Sequence, residues 1–323
     1  MRPCRVLITD HDFPDLELEL ALYRDAGIET VIAQCRSAEE VIAASTDCNA
    51  LLVQYAQINE QVFKARPDIR IASRYGAGFD TIDSEAAERC GVWVANSPDY
   101  GVGEVATHAL AMTLDLLRHI TLYDRAVKSG HWHYTSGGVI RRIGDLTVGI
   151  LGLGRIGKRF AHVSRNCFAR VIAHDPYLID GDFPAYVERV GLEALFEQAD
   201  IVSVHTPLNA ETRGMVNSDL LQRMKPGSLL VNCARGAVVD TADLLTALQS
   251  GHLNGAGLDV LPVEPPEMND PLVHHPRVIV SPHAAFYSVA GERELRRKAA
   301  QNVIDWARTG RPTYAVNKVN SGT

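Results

Sequence analysis

The sequence predicts an α/β protein built as two doubly wound domains, and three observations carry that prediction. Short apolar runs alternate with amphipathic helical stretches through brief connections, the pattern of parallel strands covered by helices on both faces. A glycine-rich turn, Gly152-x-Gly154-x-x-Gly157, stands between a strand-like run and a helical one. At 323 residues the chain is long enough for two domains rather than one.

In chain order, residues 5–9 read as a strand, 14–26 as a helix closed by Gly27, and 30–33 as a strand. Ser37-x-x-Glu40 has the spacing of a capping box and opens the next helix. Residues 50–53 form a strand, Asn59 caps a helix, and the strand over 69–73 runs into a glycine-bearing loop at 74–80. A helix over 84–89 and a strand over 92–95 follow. One long helix is expected over 103–129, then a loop with His131-Trp132-His133-Tyr134. Past the glycine turn, helices fall at 158–166, 192–198, 219–224 and 243–249. They alternate with strands at 147–151, 171–174, 201–205, 228–232, 257–260 and 278–280. A charged amphipathic helix over 288–308 precedes a loose tail.

Composition narrows the function. The net charge of −7, with no long basic run, argues against a nucleic-acid surface. Six cysteines are scattered without a C-x-x-C pair, which suits a reduced compartment and offers no metal-ligand spacing. His131 and His133 could pair on a metal, but no further ligand completes the set, so packing or subunit contact is the better reading. The start of the chain has no signal-peptide core. The most apolar helical stretch, 105–117, is interrupted by His108 and Asp115 and is too short to span a bilayer. A soluble, cytoplasmic protein with no metal, membrane or nucleic-acid partner is expected.

The glycine turn has a chemical reading. Its glycines allow a tight turn, a close backbone approach to a pyrophosphate and close helix–strand packing, while the helix N-terminus offers free N–H groups to phosphates. The next strand ends at Asp175, 18 residues past Gly157, where an acid can hydrogen-bond the ribose hydroxyls of NAD. An ordinary βαβ unit with Asp175-Pro176 starting a turn is the plainer alternative, and the placed acid weighs against it.

Ligands of doubly wound sheets sit beyond the carboxyl ends of the strands. Reading only those ends leaves Tyr75 to Gly78, Gly152 to Gly157, Asp175, Thr206-Pro207, Arg235, Asp259 and Ser281-Pro282-His283, with Glu264 close by. A guanidinium forks a carboxylate. A histidine shuttles a proton near neutrality, and a carboxylate orients it and stabilises its charged form. Beside a nicotinamide, Arg235, His283 and Glu264 suffice to reduce a 2-keto acid or oxidise a 2-hydroxy acid. Singly, each could be a solvated or satisfied loop residue; their meeting at one sheet edge favours the chemical reading.

With these motifs the chain resembles the NAD-dependent D-2-hydroxyacid dehydrogenases over nearly its full length. The likeness rests on Gly76-Ala77-Gly78-Phe79-Asp80-Thr81-Ile82-Asp83, the glycine turn with Asp175, Val231 to Asp240, Leu258-Asp259-Val260 with Glu264-Pro265, and Ser281-Pro282-His283-Ala284-Ala285. It implies a Rossmann-type NAD domain over 103–287 and a smaller flavodoxin-like substrate domain over 1–102, completed by 288–323. It implies Arg235 as carboxylate clamp, His283 as acid/base and Glu264 as its partner. Gly152, Gly154, Arg155, Ile156, Gly157, Asp175, Thr206, Pro207, Cys233 and Ala234 would line the cofactor, with Asp259 and His283 at its nicotinamide end. Tyr75, Gly76, Ala77, Gly78, Arg235 and Phe286 would meet a small 2-hydroxy or 2-keto acid in a cleft that closes to exclude water. A homodimer through the nucleotide domain is also implied.

Asp175-Pro176-Tyr177 and the stretch from His283 to Ser288 look most like the C-terminal-binding-protein branch, which includes corepressors. That branch carries Trp where this chain has Phe286, so its substrate preference does not transfer. Cys167-Phe168-Ala169 lacks the usual glycine before the second strand, so a different helix exit is expected there. Glutamine replaces the glutamate in the related formate dehydrogenases, so Glu264 argues against that activity. Two rivals remain at this point: an NAD(H)-sensing binding protein with a vestigial site, and a dehydrogenase of another anion such as phosphite.

Overall fold

The computed structural model describes residues 4–319. The predicted domain ends at residues 1 and 323 lie outside that range. The described residues fall into two compact units, within Met1–Tyr100 with Ser288–Thr323 and within Gly101–Tyr287.

The first unit runs β1 (Arg5–Ile8), α1 (Glu17–Asp25), β2 (Glu29–Ile32), α2 (Ala38–Ala44), β3 (Ala50–Val53), α3 (Glu60–Ala65), β4 (Ile71–Arg74), α4 (Ser84–Arg89) and β5 (Trp93–Ala95). Its five strands are parallel in the order β2-β1-β3-β4-β5, the flavodoxin-like winding. All of β3 is buried, as an unbroken apolar run in a sheet covered on both faces should be. Local signals start the helices. Ser37 Oγ accepts the Glu40 N–H, and Asn59 Oδ1 accepts the Val62 N–H. The expected capping box closes differently, because the Glu40 carboxylate takes the Arg36 N–H instead of that of Ser37.

The second unit runs α5 (Val102–Arg118), α6 (Ile120–Lys128), β6 (Thr147–Leu151), α7 (Arg155–Ser164), β7 (Arg170–His174), β8 (Glu188–Arg189) and α8 (Leu192–Gln198). It continues through β9 (Ile201–Val204), α9 (Ser218–Arg223), β10 (Ser228–Asn232), α10 (Thr241–Gln249), β11 (Leu253–Leu258) and β12 (Val278–Val280). Its seven strands are parallel in the order β12-β11-β10-β9-β6-β7-β8, a Rossmann-type winding that reverses between β6 and β9. That reversal opens a crevice at the carboxyl ends of β6 and β9. The last helix, α11 (Val289–Thr309), belongs to the first unit, where Ser73 Oγ donates to the Ala299 carbonyl and Asn302 Nδ2 to the Asn96 carbonyl.

Four elements depart from the sequence reading, β8 among them because no strand was expected there. The helix expected over 103–129 is two helices, broken at His119, whose φ of 55° is left-handed. Asp115 makes the break: its carboxylate accepts the Thr121 N–H at 2.8 Å and the Thr121 hydroxyl, so it caps α6. The helix after the glycine turn starts at Arg155 rather than 158, so the last glycine lies in its first turn. The strand expected from 257 starts at Leu253 and carries Gly255 and Gly257 in its interior. A Cβ at Gly257 would come within 3.2 Å of Met112 Cβ on α5, so close helix packing explains a glycine that reads as a strand breaker. Phe168 has no positive φ; its ring is buried in the core and the chain leaves α7 through a Cys167 N–H to Ser164 carbonyl turn.

Candidate active site

The glycine turn tests its own reading. Gly152 has φ 91°, and a Cβ there would lie 2.9 Å from the His205 carbonyl carbon and the Thr206 nitrogen, so β6 and β9 converge on it. A Cβ on Gly157 would overlap the Gly152 carbonyl oxygen, which holds α7 against its own strand. Gly154 differs: it is exposed, its φ is negative, and a Cβ would meet nothing within 4 Å. Nothing among the described residues requires a glycine there, whereas a pyrophosphate approaching the backbone would. Gly154 opens α7 with no side chain capping the helix, leaving the N–H groups of Arg155, Ile156 and Gly157 at the crevice.

Asp175 ends β7 and accepts the Leu153 N–H at 2.9 Å and the Tyr177 N–H at 3.1 Å, so it ties the glycine turn to the next strand. On the other side of the turn, Thr206 Oγ1 and His205 Nδ1 are buried without a hydrogen-bond partner among the described residues. Such orphaned polar atoms call for an explanation, and at a crevice they suit a polar ligand. Burial holds the His205 imidazole down to about 3, so it stays neutral. Pro207 is exposed, Cys233 is buried with its thiol pushed up chiefly by burial, and Ala234 is half-buried. The donors, the open glycine and the placed acid together fit a dinucleotide.

Three loops bring the reactive side chains to the carboxyl ends of β10, β11 and β12. Asn232 shapes the first, accepting the Ala234 N–H on Oδ1 and donating Nδ2 to the Arg235 carbonyl at 2.9 Å. Gly236 then lies so close to the second loop that a Cβ would overlap the Leu261 carbonyl. In that second loop Glu264 Oε1 accepts the Leu261 N–H at 2.8 Å. Its other oxygen, Oε2, stands 2.6 Å from His283 Nδ1 on the third loop. Burial, the largest single influence, pushes the Glu264 carboxyl up. The hydrogen bonds from His283 and Leu261 and the charges of His283 and Arg235 outweigh it, and the net shift is down. Glu264 is therefore an ionised acceptor, and Nδ1 carries the proton it receives, which leaves Nε2 as the atom that works on a substrate.

His283 itself has φ 52°, uncommon for a residue with a side chain. Asp259 holds it there. The Asp259 carbonyl accepts the His283 N–H at 2.8 Å, and its carboxylate accepts the N–H groups of Ala284 and Ala285 and the Ser281 hydroxyl. The resemblance implies Asp259 at the nicotinamide end of the cofactor, and its carboxylate oxygens hold the histidine loop. Phe286 packs edge-on to the His283 ring with centroids 6.5 Å apart.

Tyr75, expected among the substrate contacts, is 2% exposed, packs its ring on Phe13 and donates its hydroxyl to the buried Glu19 at 3.0 Å. A buried carboxylate partner draws it into the first unit's interior. Gly76, Ala77 and Gly78 form the loop that follows, in which Gly76 has φ 148° and a Cβ would overlap the Arg74 guanidinium. Asn96 Nδ2 donates to the Ala77 carbonyl at 2.6 Å. Asn232, Gly236 and Ser281 lie within the sequence motifs, Ser281 also among the strand-end candidates, but without a role assigned to them there; in the structure they shape the loops of Arg235 and His283.

Comparison with known proteins places the chain in a family. A family model described as "D-isomer specific 2-hydroxyacid dehydrogenase, NAD binding domain" matches residues 110–285. D-3-phosphoglycerate dehydrogenase of Bacillus subtilis is 37% identical over 266 residues, covering 80% of this chain and 50% of that protein. Glyoxylate reductase of Korarchaeum cryptofilum is 35% identical over 288 residues, 87% of this chain and 86% of its own length. Among solved structures, an NADPH-dependent glyoxylate/hydroxypyruvate reductase of Sinorhizobium meliloti, in complex with NADP and malonate, is 30% identical. It superposes with a TM-score of 0.87 over 98% of this chain and 97% of that one. The class is that of two-sheet α/β dehydrogenases with a nucleotide-binding unit. The chain belongs to the D-isomer specific 2-hydroxyacid dehydrogenase family, and Gly101–Tyr287 contains its NAD-binding domain. It spans about half the length of the phosphoglycerate dehydrogenases it matches.

Proposed function

We propose that this protein transfers hydride between NAD(H) and C2 of a small 2-hydroxy or 2-keto acid of D configuration. The observation that carries the reading is the Glu264–His283 pair at 2.6 Å, with the Glu264 loop packed against the one that presents Arg235. Arg235 forks the substrate carboxylate and fixes C2. Bound NADH supplies the hydride. In reduction, His283 Nε2 gives a proton to the carbonyl oxygen as C2 gains the hydride, and in oxidation it takes that proton back. Glu264 keeps Nδ1–H engaged throughout and so fixes the ring. Gly152, Gly154, Gly157 and the N-terminus of α7 would hold the pyrophosphate, Asp175 the ribose, and Thr206 to Pro207 with Cys233 to Ala234 the walls. NADH oxidation by a panel of 2-keto acids tests the reading, with NAD and phosphite run alongside. Turnover of a keto acid is expected; phosphite oxidation alone would overturn the substrate class.

Asp175 sets the cofactor. A carboxylate there repels a 2′-phosphate, and Pro176 and Tyr177 follow it instead of an arginine. NAD(H) is expected to exceed NADP(H) in kcat/KM, with Asp175→Ala narrowing the gap; equal efficiencies in the wild-type protein would contradict this. As for partners, no helix of the described residues is long and apolar enough to cross a membrane. Six free thiols suit the reduced cytoplasm. Ile120 and Val127 on α6, with Trp132, Tyr134 and Val139 after it, are exposed apolar residues within one short stretch, suited to burial by a second copy of the chain. Sedimentation should show a homodimer, and a monomer at micromolar concentration would contradict it.

A further inference from the structure

His108 enters the sequence reading only as a polar interruption in an apolar helix, yet it reaches the histidine loop. Its Nε2 lies 2.9 Å from Ser281 Oγ and 3.6 Å from Asp259 Oδ1. Ser281 Oγ lies 2.5 Å from that same Asp259 oxygen. The Asp259 side chain is 1% exposed, and two backbone N–H groups, of Ala284 and Ala285, also point at it.

Hydrogen-bond bookkeeping orders this cluster. A carboxylate with donors converging on it accepts, so the single Ser281 proton goes to Asp259. Only lone pairs of Ser281 Oγ then face His108, so the imidazole must carry a proton on Nε2 and donate it. The chain of bonds runs one way, from His108 through Ser281 to Asp259. Its start is anchored, because Ala106, Ala109 and Met112 beside His108 on α5 are buried. Its end is the residue whose carbonyl and carboxylate hold His283 in a left-handed conformation. Such a conformation persists only where its surroundings over-determine it.

We propose that His108 is a positioning residue for His283. By donating to Ser281 it tightens the Ser281–Asp259 bond and keeps the 281–285 turn closed around the carboxylate, with the acid/base ring aimed. The proposal rests on the dehydrogenase reading above. It requires that losing the Nε2–H donor slow the chemical step without weakening cofactor affinity, because the phosphates and ribose lie on other loops.

The test compares wild type, His108→Leu, His108→Gln, Ser281→Ala and His108→Leu/Ser281→Ala in keto-acid reduction, with NADH binding followed by fluorescence. Displacing a reactive group by a fraction of an ångström supports an expected kcat loss on the order of tenfold in His108→Leu. NADH Kd should stay within about twofold. The glutamine amide can donate from a similar place, so His108→Gln should recover at least half of kcat. The double variant should be no slower than the slower single one, because both act through one bond chain. A kcat in His108→Leu equal to wild type, additive losses in the double variant, or a glutamine variant as slow as the leucine one would each overturn the proposal. If the leucine variant fails to fold, the glutamine and Ser281→Ala variants decide it: fast glutamine with slow alanine supports it, any other pattern overturns it. A wild-type protein that turns over no keto acid would instead defeat the underlying reading of function.

Discussion

Arg235, Glu264 and His283 reach the site from separate loops, and each loop is fixed by backbone contacts that can be named. Arg235 depends on Asn232, Glu264 on the Leu261 N–H, and His283 on Asp259. Replacing Arg235 by Lys keeps the charge and loses the planar fork. Hydrogen bonds to a charged group contribute about 1.5–3 kcal/mol, so keto-acid kcat/KM should fall by tens to hundreds of fold with NADH affinity unchanged. Steady-state kinetics check this, and an unaltered kcat/KM would remove Arg235 from the clamp. Glu264 makes a prediction about pH. Its folded-state carboxyl is held below the ordinary range, so the stabilisation it lends to His283 is present above that range and is lost only as pH falls through the depressed value. Wild-type activity should therefore show no acid-side loss from Glu264 at pH 5. In Glu264→Gln the acceptor of the Nδ1–H is neutral at every pH, so reductive kcat/KM should be lower throughout and lose the acid-side step that the Glu264 carboxyl gives the wild type. Superimposable pH profiles would exclude Glu264 from the mechanism.

The element that decides nucleotide binding is the β6–α7 turn, whose glycines make opposite demands. Gly157→Ala forces a Cβ into the Gly152 carbonyl and should lower the melting temperature by several degrees, an overpacking cost of about 1–3 kcal/mol. Gly154→Ala adds a methyl to open space at an ordinary φ, so the melting temperature should hold while NADH Kd rises at least about tenfold. Thermal scans with and without NADH separate the two, and unchanged NADH affinity in Gly154→Ala would contradict the cradle. This turn was legible in the sequence because it is local: strand, glycines, helix and Asp175 lie within one stretch. The α5–α6 break was not, because it depends on the Asp115 side chain choosing the Thr121 amide over solvent.

At the scale of the whole molecule, both sheets were legible from alternating apolar runs, while the pairings between distant residues were not. His108 meets Ser281 across 173 positions, and Tyr75 turns inward because Glu19 waits for it. That Glu19 is fully buried and is forked by Arg296 of α11 through Nε at 2.9 Å and Nη2 at 2.8 Å. Arg296→Leu leaves the carboxylate buried without its main partner, and the first unit should lose about 3–5 kcal/mol in urea unfolding. A loss under 1 kcal/mol would show the pair to be dispensable.

The most direct measurement compares wild type with His283→Asn, following NADH oxidation by the best 2-keto acid and NADH binding in the same preparations. Abolished turnover in the variant with NADH affinity intact is the predicted result, because His283 Nε2 acts on the substrate oxygen while the phosphates and ribose lie on other loops. Tight NADH binding by a wild-type protein that reduces no 2-keto acid, or turnover undiminished in His283→Asn, would contradict it.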